Sequence, residues 1–316
     1  MTALDPHRSL RLGSRSSPLA MAQAQEARDR LCAAHGLAPE LVEIIPVRAS
    51  GDQVQDRPLA DIGGKALWTK ELDAWLVDGE IDFAVHSAKD VETIRPAEIA
   101  IAAILPREDV RDVLIGASSI SALLPGAIVG TSAPRRAAQL LNARPDCKVV
   151  PIRGNVATRL AKLAARDVDA TFLAAAGLKR LGESGTGTAL NPGEWLPAPG
   201  QAAIIIECRA DDRGTRDLLT ALDDKASRST VMAERALLAA LGGSCQSPVA
   251  VCSALDRDTL AMRAALFSPD GTQRVDGETH FPASDELAPV RLAQDLLSRA
   301  GSSITAHFDG PLKAQP

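Results

Sequence analysis

Along the first half of the chain, short apolar runs alternate with stripes at helical spacing. Residues 10–13 read as a strand. Ser16, Ser17 and Pro18 then mark a helix start, with a serine cap and proline in the first turn. The Ala-, Gln- and Leu-rich helix that follows runs to about Ala34. Residues 41–47 form an apolar strand. Over residues 68–77, Trp68, Leu72, Trp75 and Leu76 fall on one helical face. Residues 81–85 are the next strand. This βαβα order predicts α/β layering around a largely parallel sheet.

The pattern then repeats. Residues 127–130 read as a strand, followed by Thr131-Ser132-Ala133-Pro134 and a helix opening with Arg135 and Arg136. Gly13 to Pro18 and Gly130 to Pro134 share an order: glycine, hydroxyl residues, proline, then an Ala/Gln helix. Residues 81–85 likewise echo residues 168–173. Two similar α/β lobes with a cleft between them are expected. Beyond the Pro197-Ala198-Pro199-Gly200-Gln201 punctuation, residues 202–207 form an apolar strand that returns to the first lobe. A helix over 230–241 stops at Gly242-Gly243. Strands at 249–255, 260–268 and 272–281 follow, the last two joined by a Pro269-Asp270-Gly271 turn. A closing amphipathic helix over 287–300 completes a small α+β domain.

Composition narrows the function. The 316 residues are 46% hydrophobic and 24% charged, as in a globular protein of two or three domains. Aromatics are 3% and tyrosine is absent, which counts against base-stacking nucleic-acid modules. A net charge of −5 counts against a generally basic nucleic-acid or membrane binder. No run approaches membrane-span length and the first residues carry no apolar signal core, so a cytoplasmic protein is expected. Five cysteines without a CxxC pair fit reduced thiols and disfavour a structural metal site. Between Thr131 and Arg180, however, ten Lys/Arg face three Asp, a local balance of +7. That excess suits a polyanionic or polycarboxylate ligand; a solvated helix face is the alternative.

The candidate chemistry sits at strand ends. Ser14 to Ser17, and Thr131 to Arg136, each join a strand to a helix N-terminus, where free N–H groups favour carboxylate or phosphate. Arginine there can hold a carboxylate with two parallel bonds. Asn155 is placed to cap a helix carrying Arg159. Asp90, beyond the strand ending near His86, can stabilise a cationic intermediate or shuttle a proton. His86 itself reads as structural. Gly63-Gly64-Lys65 fails as a phosphate loop, with Leu59 and Ala66 where glycine and Ser/Thr are needed. Cys245 follows a helix C-terminus, which disfavours a thiolate nucleophile but leaves room for covalent attachment of a prosthetic group.

Several segments together resemble the hydroxymethylbilane synthase family, also called the porphobilinogen deaminases. They are Arg15 to Ala20, His86 to Asp90, Arg107-Glu108-Asp109, Arg135-Arg136, Arg153 to Leu160, Ala176 to Gly182, and Glu234-Arg235. The resemblance runs from about Leu10 to Ala250. It implies two periplasmic-binding-protein-like lobes, residues 1–105 with 203–221 and residues 106–202, plus an α+β cofactor-attachment domain over 222–316. It implies a transferase that deaminates porphobilinogen and polymerises four molecules head to tail, releasing hydroxymethylbilane and ammonia in tetrapyrrole (haem-type) biosynthesis. The cofactor would be dipyrromethane, thioether-linked to Cys245, with no metal. Asp90 matches the catalytic aspartate. Arg15, Arg135, Arg136, Arg153 and Arg159 match positions that bind acetate and propionate groups. Ser17, Ser87, Lys89, Thr131 and Ser132 match hydrogen-bonding positions around them. Gly154 and Asn155 join the cofactor set, and Arg180 and Gln201 the substrate set. A cytoplasmic monomer without nucleic-acid or membrane partners is implied. Ala133-Pro134, Ala202 and Ser244 depart from the usual pattern, the second where glycine is common. The alternative is a non-catalytic two-lobed anion-binding protein, which needs neither Asp90 nor a modified Cys245.

Overall fold

The computed structural model describes residues 9–47 and 69–310. The expected helix start at Trp68 and the Gly63-Gly64-Lys65 stretch lie outside the described residues. In chain order the first elements are β1 (Leu10–Arg15), α1 (Pro18–His35), β2 (Val42–Val47), α2 (Lys70–Val77), β3 (Phe83–Ser87) and β4 (Ile99–Ile104). Then come β5 (Asp112–Ile115), β6 (Ile128–Gly130), α3 (Pro134–Ala143), β7 (Lys148–Val150), α4 (Val156–Ala164), β8 (Ala170–Ala174), α5 (Ala175–Arg180) and β9 (Thr188–Ala189). The remainder is β10 (Ile204–Arg209), α6 (Arg213–Thr220), α7 (Lys225–Leu241), β11 (Val249–Asp256), β12 (Thr259–Phe267), β13 (Arg274–Pro282), α8 (Ala288–Arg299) and α9 (Ser302–Thr305).

The chain divides into two compact units: residues up to Glu108 with Ala202–Arg228, and Asp109–Gln201 with Ser229 onward. The first unit holds a five-stranded sheet in the order β2-β1-β3-β10-β4. Strands β2, β1 and β3 run parallel, and β10 is antiparallel to both β3 and β4. Buried on both faces, β3 and β10 open with apolar runs, Phe83 to Val85 and Ile204 to Ile206, rather than alternating ones. On one face pack Leu10, Leu12, Ala24, Leu31, Phe83, Val85, Ile204 and Ile206. On the other, Leu72 and Leu76 of α2 pack with Val47, Ile81 and Ala84. Helix α1 starts as its sequence dictates. Ser17 accepts from Ala20 N, Pro18 opens the first turn, and Ala20, Gln23, Ala24, Ala27 and Leu31 form the buried stripe.

The second unit repeats the topology. Its sheet order is β7-β6-β8-β5-β9, with β7, β6 and β8 parallel and β5 antiparallel to both β8 and β9. The echo of glycine, hydroxyl and proline therefore marks equivalent strand-to-helix corners, after β1 and after β6. Both are α/β lobes built on a five-stranded mixed sheet. A three-stranded antiparallel sheet, β11-β12-β13, follows with its own core against α7 and α8, including Leu237, Leu241, Val251, Met262, Leu266, Leu292 and Leu296. It joins the second lobe through Ala250, Ala265 and Phe267, which pack on Ala138 and Leu196. At the hairpin turn, Gly271 lies so close to α3 that a Cβ would stand 2.5 Å from Asn142 N. Its carbonyl accepts from Asn142 Nδ2 at 2.9 Å.

Several boundaries differ from the sequence reading for local reasons. Strand β3 begins later than expected because Ile81 N still closes the end of α2, donating to Trp75 O at 3.2 Å. Strand β10 begins at Ile204 because Ala202 takes a left-handed conformation, φ 71°. Helix α7 starts at Lys225, not Thr230. The Asp224 carboxylate accepts from Ser227 N and Oγ at 2.8 and 2.6 Å and so caps an earlier turn.

Glu234 on α7 is fully buried and ties three parts of the second unit together. Its carboxylate accepts from Gly200 N at 2.7 Å, Ser253 N at 3.1 Å and Ser253 Oγ at 2.7 Å. Glu234→Ala leaves these buried donors unpaired and is expected to lower stability by about 2–4 kcal/mol, read from urea unfolding. A change below about 0.5 kcal/mol, the usual size of a neutral surface substitution, would show that water satisfies them instead.

Candidate functional site

In the first unit the chemistry gathers where β1 and β3 end. Arg15 closes β1 and Ser17 caps α1, accepting from Ala20 N at 3.3 Å. Strand β3 ends at Ser87, and Ala88, Lys89 and Asp90 make one 3-10 turn held by Val91 N donating to Ala88 O. The turn is anchored to the first lobe's return segment by Ala88 N donating to Ala203 O at 3.0 Å. Arg15 Nη1 stands 3.9 Å from Asp90 Oδ2, both groups partly exposed. Buried Gln23 donates from Nε2 to Ser87 Oγ at 2.9 Å, fixing the serine beside the turn. Arg15, Ser17, Gln23, His86, Ser87 and Asp90 line a small hollow of about 50 Å³, open to solvent. A guanidinium for an anion and a carboxylate for a cation thus share one cavity. Lys89 lies half-buried on the same turn.

His86 is buried in the wall of this hollow. Burial, reinforced by the Arg95 guanidinium and opposed by Asp73, pushes it down to about 4. Its Nε2 lies 3.4 Å from Glu207 Oε2 without making a hydrogen bond. The imidazole is neutral near pH 7, in keeping with a structural role.

In the second unit, the corner after β6 is built mainly from internal bonds. Thr131 N donates to Val150 O at 2.9 Å, and Ser132 Oγ to Ile152 O at 2.9 Å. Ala133 carries no capping side chain; Thr131 Oγ1 accepts from its N–H at 3.2 Å instead. Arg135 and Arg136 are 5% and 6% exposed. Both bind the buried Asp112 carboxylate, at 2.8 and 2.6 Å. Trp195 Nε1 and Gln201 Nε2 donate to the same carboxylate at 2.8 and 3.0 Å. Burial alone would raise the Asp112 carboxyl, but Arg135 and Arg136 hold it well below the usual carboxylate range. The expected ligand arginines at 135 and 136 thus already hold a protein anion, and Gln201 is part of the same buried set. Asp112 escaped the sequence reading; its only signal is a charge opening the apolar run Val113-Leu114-Ile115.

A second cationic group is differently placed. Asn155 caps α4, its Oδ1 accepting from Thr158 N at 2.9 Å. Gly154 takes φ 110°, where a Cβ would meet Thr158 at 2.6 Å, and its carbonyl accepts from Arg159 Nε at 3.0 Å. Burial, then repulsion from Arg136 and Arg153, pushes Arg159 down to about 10. Its charged neighbours are cations, an arrangement that an incoming carboxylate relieves. Arg180 ends α5, half-buried.

Cys245 sits in the loop between α7 and β11, shaped by Ser244 N donating to Ser247 Oγ at 3.0 Å and Ser247 N to Ser244 O at 3.0 Å. It is exposed, whereas Cys32, Cys147 and Cys208 are buried and Cys252 is intermediate. Burial raises the three buried thiols, Cys208 to about 11. Among the described residues there is no group of His, Cys, Asp and Glu able to hold a metal ion, and no helix long and apolar enough to cross a membrane.

A family model described as porphobilinogen deaminase, dipyromethane cofactor binding domain, matches residues 10–217. A second, described as porphobilinogen deaminase, C-terminal domain, matches residues 229–298. A protein of Sphingopyxis alaskensis named porphobilinogen deaminase is 53% identical over 309 residues, 96% of this chain and 98% of its own. One of the same name from Paracoccus denitrificans is 49% identical over 300 residues, 94% of this chain and 96% of its own. Among solved structures, the periplasmic VFT2 domain of Bordetella pertussis BvgS is matched at 17% identity with a TM-score of 0.38, over 72% of this chain and 92% of that one, too distant to bear on function.

The buried imidazole gives a pH prediction. Unfolded, His86 binds a proton from its ordinary value of 6.5; folded, it does so only near 4. The unfolded state therefore binds more protons between these values, and stability falls as pH drops through that window. About 2 kcal/mol should be lost between pH 7 and pH 5, read from urea midpoints, and His86→Gln should largely abolish the loss. An unaltered pH profile in His86→Gln would place the acid sensitivity elsewhere.

Proposed function

The chain belongs to the porphobilinogen deaminase family, and on that premise we propose how its residues divide the work. It is a transferase that deaminates porphobilinogen and joins the units head to tail, with a dipyrromethane cofactor. The non-catalytic anion-binding alternative gives no reason for a matched cofactor-binding domain.

Two features fit the cofactor. Cys245 is an exposed thiol on a short loop, where thioether formation needs access rather than a low thiol pKa. Arg153 and Arg159, helped by the tight Gly154-Asn155 corner, form a cationic group suited to the acetate and propionate groups of pyrroles. When bound, the dipyrromethane supplies the nucleophilic pyrrole carbon at which polymerisation begins. Cys245 would carry it, and Arg153, Gly154, Asn155, Thr131 and Ser132 would bind it. Arg135 and Arg136 contribute to the extent that ligand carboxylates compete with Asp112. Arg159, Arg180 and Gln201 are assigned to substrate.

Asp90 carries the chemistry. As ammonia leaves porphobilinogen, positive charge develops on the substrate's pyrrole and methylene carbon, and a fixed carboxylate beside it lowers the barrier. Arg15 holds a substrate carboxylate and Ser17 supplies a hydrogen bond to the substrate, while Ser87 and Lys89 would bind the cofactor. The Gln23 bond to Ser87 orients that serine before substrate arrives, so less ordering is needed at the moment of reaction. We take the enzyme to act as a cytoplasmic monomer of three domains, as the resemblance implies.

The observation that carries this reading is the shared cavity of Arg15, Ser87 and Asp90. Asp90→Asn keeps the shape and removes the charge. Loss of about 3 kcal/mol of transition-state stabilisation would slow single-turnover reaction of the first porphobilinogen more than 100-fold. Substrate binding should change far less, and Asp90→Glu should recover part of the rate. Normal single-turnover kinetics in Asp90→Asn would return Asp90 to the role of an ordinary loop carboxylate.

A further inference from the structure

Beyond α9 the chain runs back to the root of the loop that carries Cys245. His307 N donates to Ile304 O and Phe308 N to Thr305 O, so the backbone keeps turning after the helix. Ile304 and Phe308 are buried in the same apolar core as Leu237, Leu238 and Leu241 of α7. The next two residues meet the end of α7. Gly310 N donates to Leu241 O at 3.1 Å, and Asp309 N to Gly242 O at 3.4 Å.

The helix end explains why donors are wanted there. Gly242 takes φ 66°; its N–H donates to Ala239 O and that of Gly243 to Leu238 O, the paired bonds of a Schellman cap. That cap uses earlier carbonyls and leaves those of Leu241 and Gly242 for donors from elsewhere. Gly310 and Asp309 supply them. The approach is close: a Cβ at Gly242 would stand 2.3 Å from Gly310 O and 2.7 Å from Gly310 N. Cys245 follows three residues after Gly242. Ser244 N donates to Ser247 Oγ, Ser247 N to Ser244 O, and Gln246 N to Ser244 Oγ at 3.2 Å. Those bonds shape the loop from within, whereas residues 309–310 tie its root to the third sheet's core through Phe308.

We propose that residues 308–310 are a positioning strap for the cofactor: by fixing the Gly242-Gly243 turn they set the direction in which the loop leaves α7, and so hold the Cys245 sulfur as a stationary anchor. The strap touches no reacting atom. Its effect comes through the loop, because a tethered reactant gains rate only while its point of attachment is held in place. The inference rests on Cys245 as the attachment point.

The test compares holoenzyme whose chain ends at Phe308 with holoenzyme whose chain ends at Gly310. Both keep the Phe308 side chain in the core, and they differ only in the two strap residues. Amide hydrogen exchange at Ser244 and Ser247, the mass of the Cys245 peptide, single-turnover reaction of the first porphobilinogen and urea unfolding are read together. In the chain ending at Phe308, the two loop amides should exchange about tenfold faster or more, under conditions where urea unfolding shows both proteins folded. Reaction of the first porphobilinogen should slow about tenfold or more. A chain ending at Asp309 loses the Gly310 donor alone and should fall between the two; it decides the matter if the shorter chain does not fold. A strap that serves stability alone would lower the urea midpoint and leave loop exchange and rate unchanged in the folded protein, which overturns the inference. Faster exchange with a normal rate overturns it too. If the Cys245 peptide of the chain ending at Gly310 carries no two-pyrrole increment, the attachment reading fails; if it carries one and the shortened chains behave alike, only the strap fails.

Discussion

A single buried carboxylate, Asp112, organises the second unit. It gathers two guanidiniums, an indole N–H and a carboxamide. Through them it fixes the start of α3, the Trp195 segment and the turn before β10. Trp195 in turn stacks on Phe172 of β8, with ring centroids 4.8 Å apart. Removing one partner of such a set strands the remaining charges in the core, a loss of about 3–5 kcal/mol for a buried pair. The corner that carries Thr131 and Ser132 is therefore held from inside, before any ligand arrives.

The first unit solves the same problem in an equivalent place. In each five-stranded sheet one strand runs against its neighbours, β10 in the first and β5 in the second. Each carries a fully buried acid, Glu207 or Asp112, and each of these is matched to arginine from a neighbouring segment. The outcomes differ. Asp112 meets two arginines and spends its charge internally. Glu207 and Asp73 both pair with Arg95. In the second unit, Arg159 stands among other cations. In the first unit's hollow, Arg15 instead faces the Asp90 carboxylate at 3.9 Å.

Much of this was legible in the sequence because its causes are local. Ser17 before Pro18, the apolar stripe of α1, the Pro269-Asp270-Gly271 turn and the repeated strand-to-helix corner all became the elements they suggest. The two matching sheet orders explain why those corners look alike. What was hidden depends on partners far along the chain. Asp112 is 83 residues from Trp195 and 89 from Gln201, and Glu207 is 112 from Arg95. No periodicity shows such pairings. Arg135 and Arg136 read as ligand arginines because their buried carboxylate lies outside their own motif. Ala202 looked like a mild departure from glycine, yet it takes φ 71°, a conformation that glycine adopts without strain.

The account stands most directly on the covalent attachment. The purified active protein, digested and mapped by mass, should show the peptide containing Cys245 heavier by a two-pyrrole unit, with the peptides of Cys32, Cys147, Cys208 and Cys252 unmodified. Active protein whose Cys245 thiol is free to alkylation, or whose pyrrole increment lies on another cysteine, would contradict it.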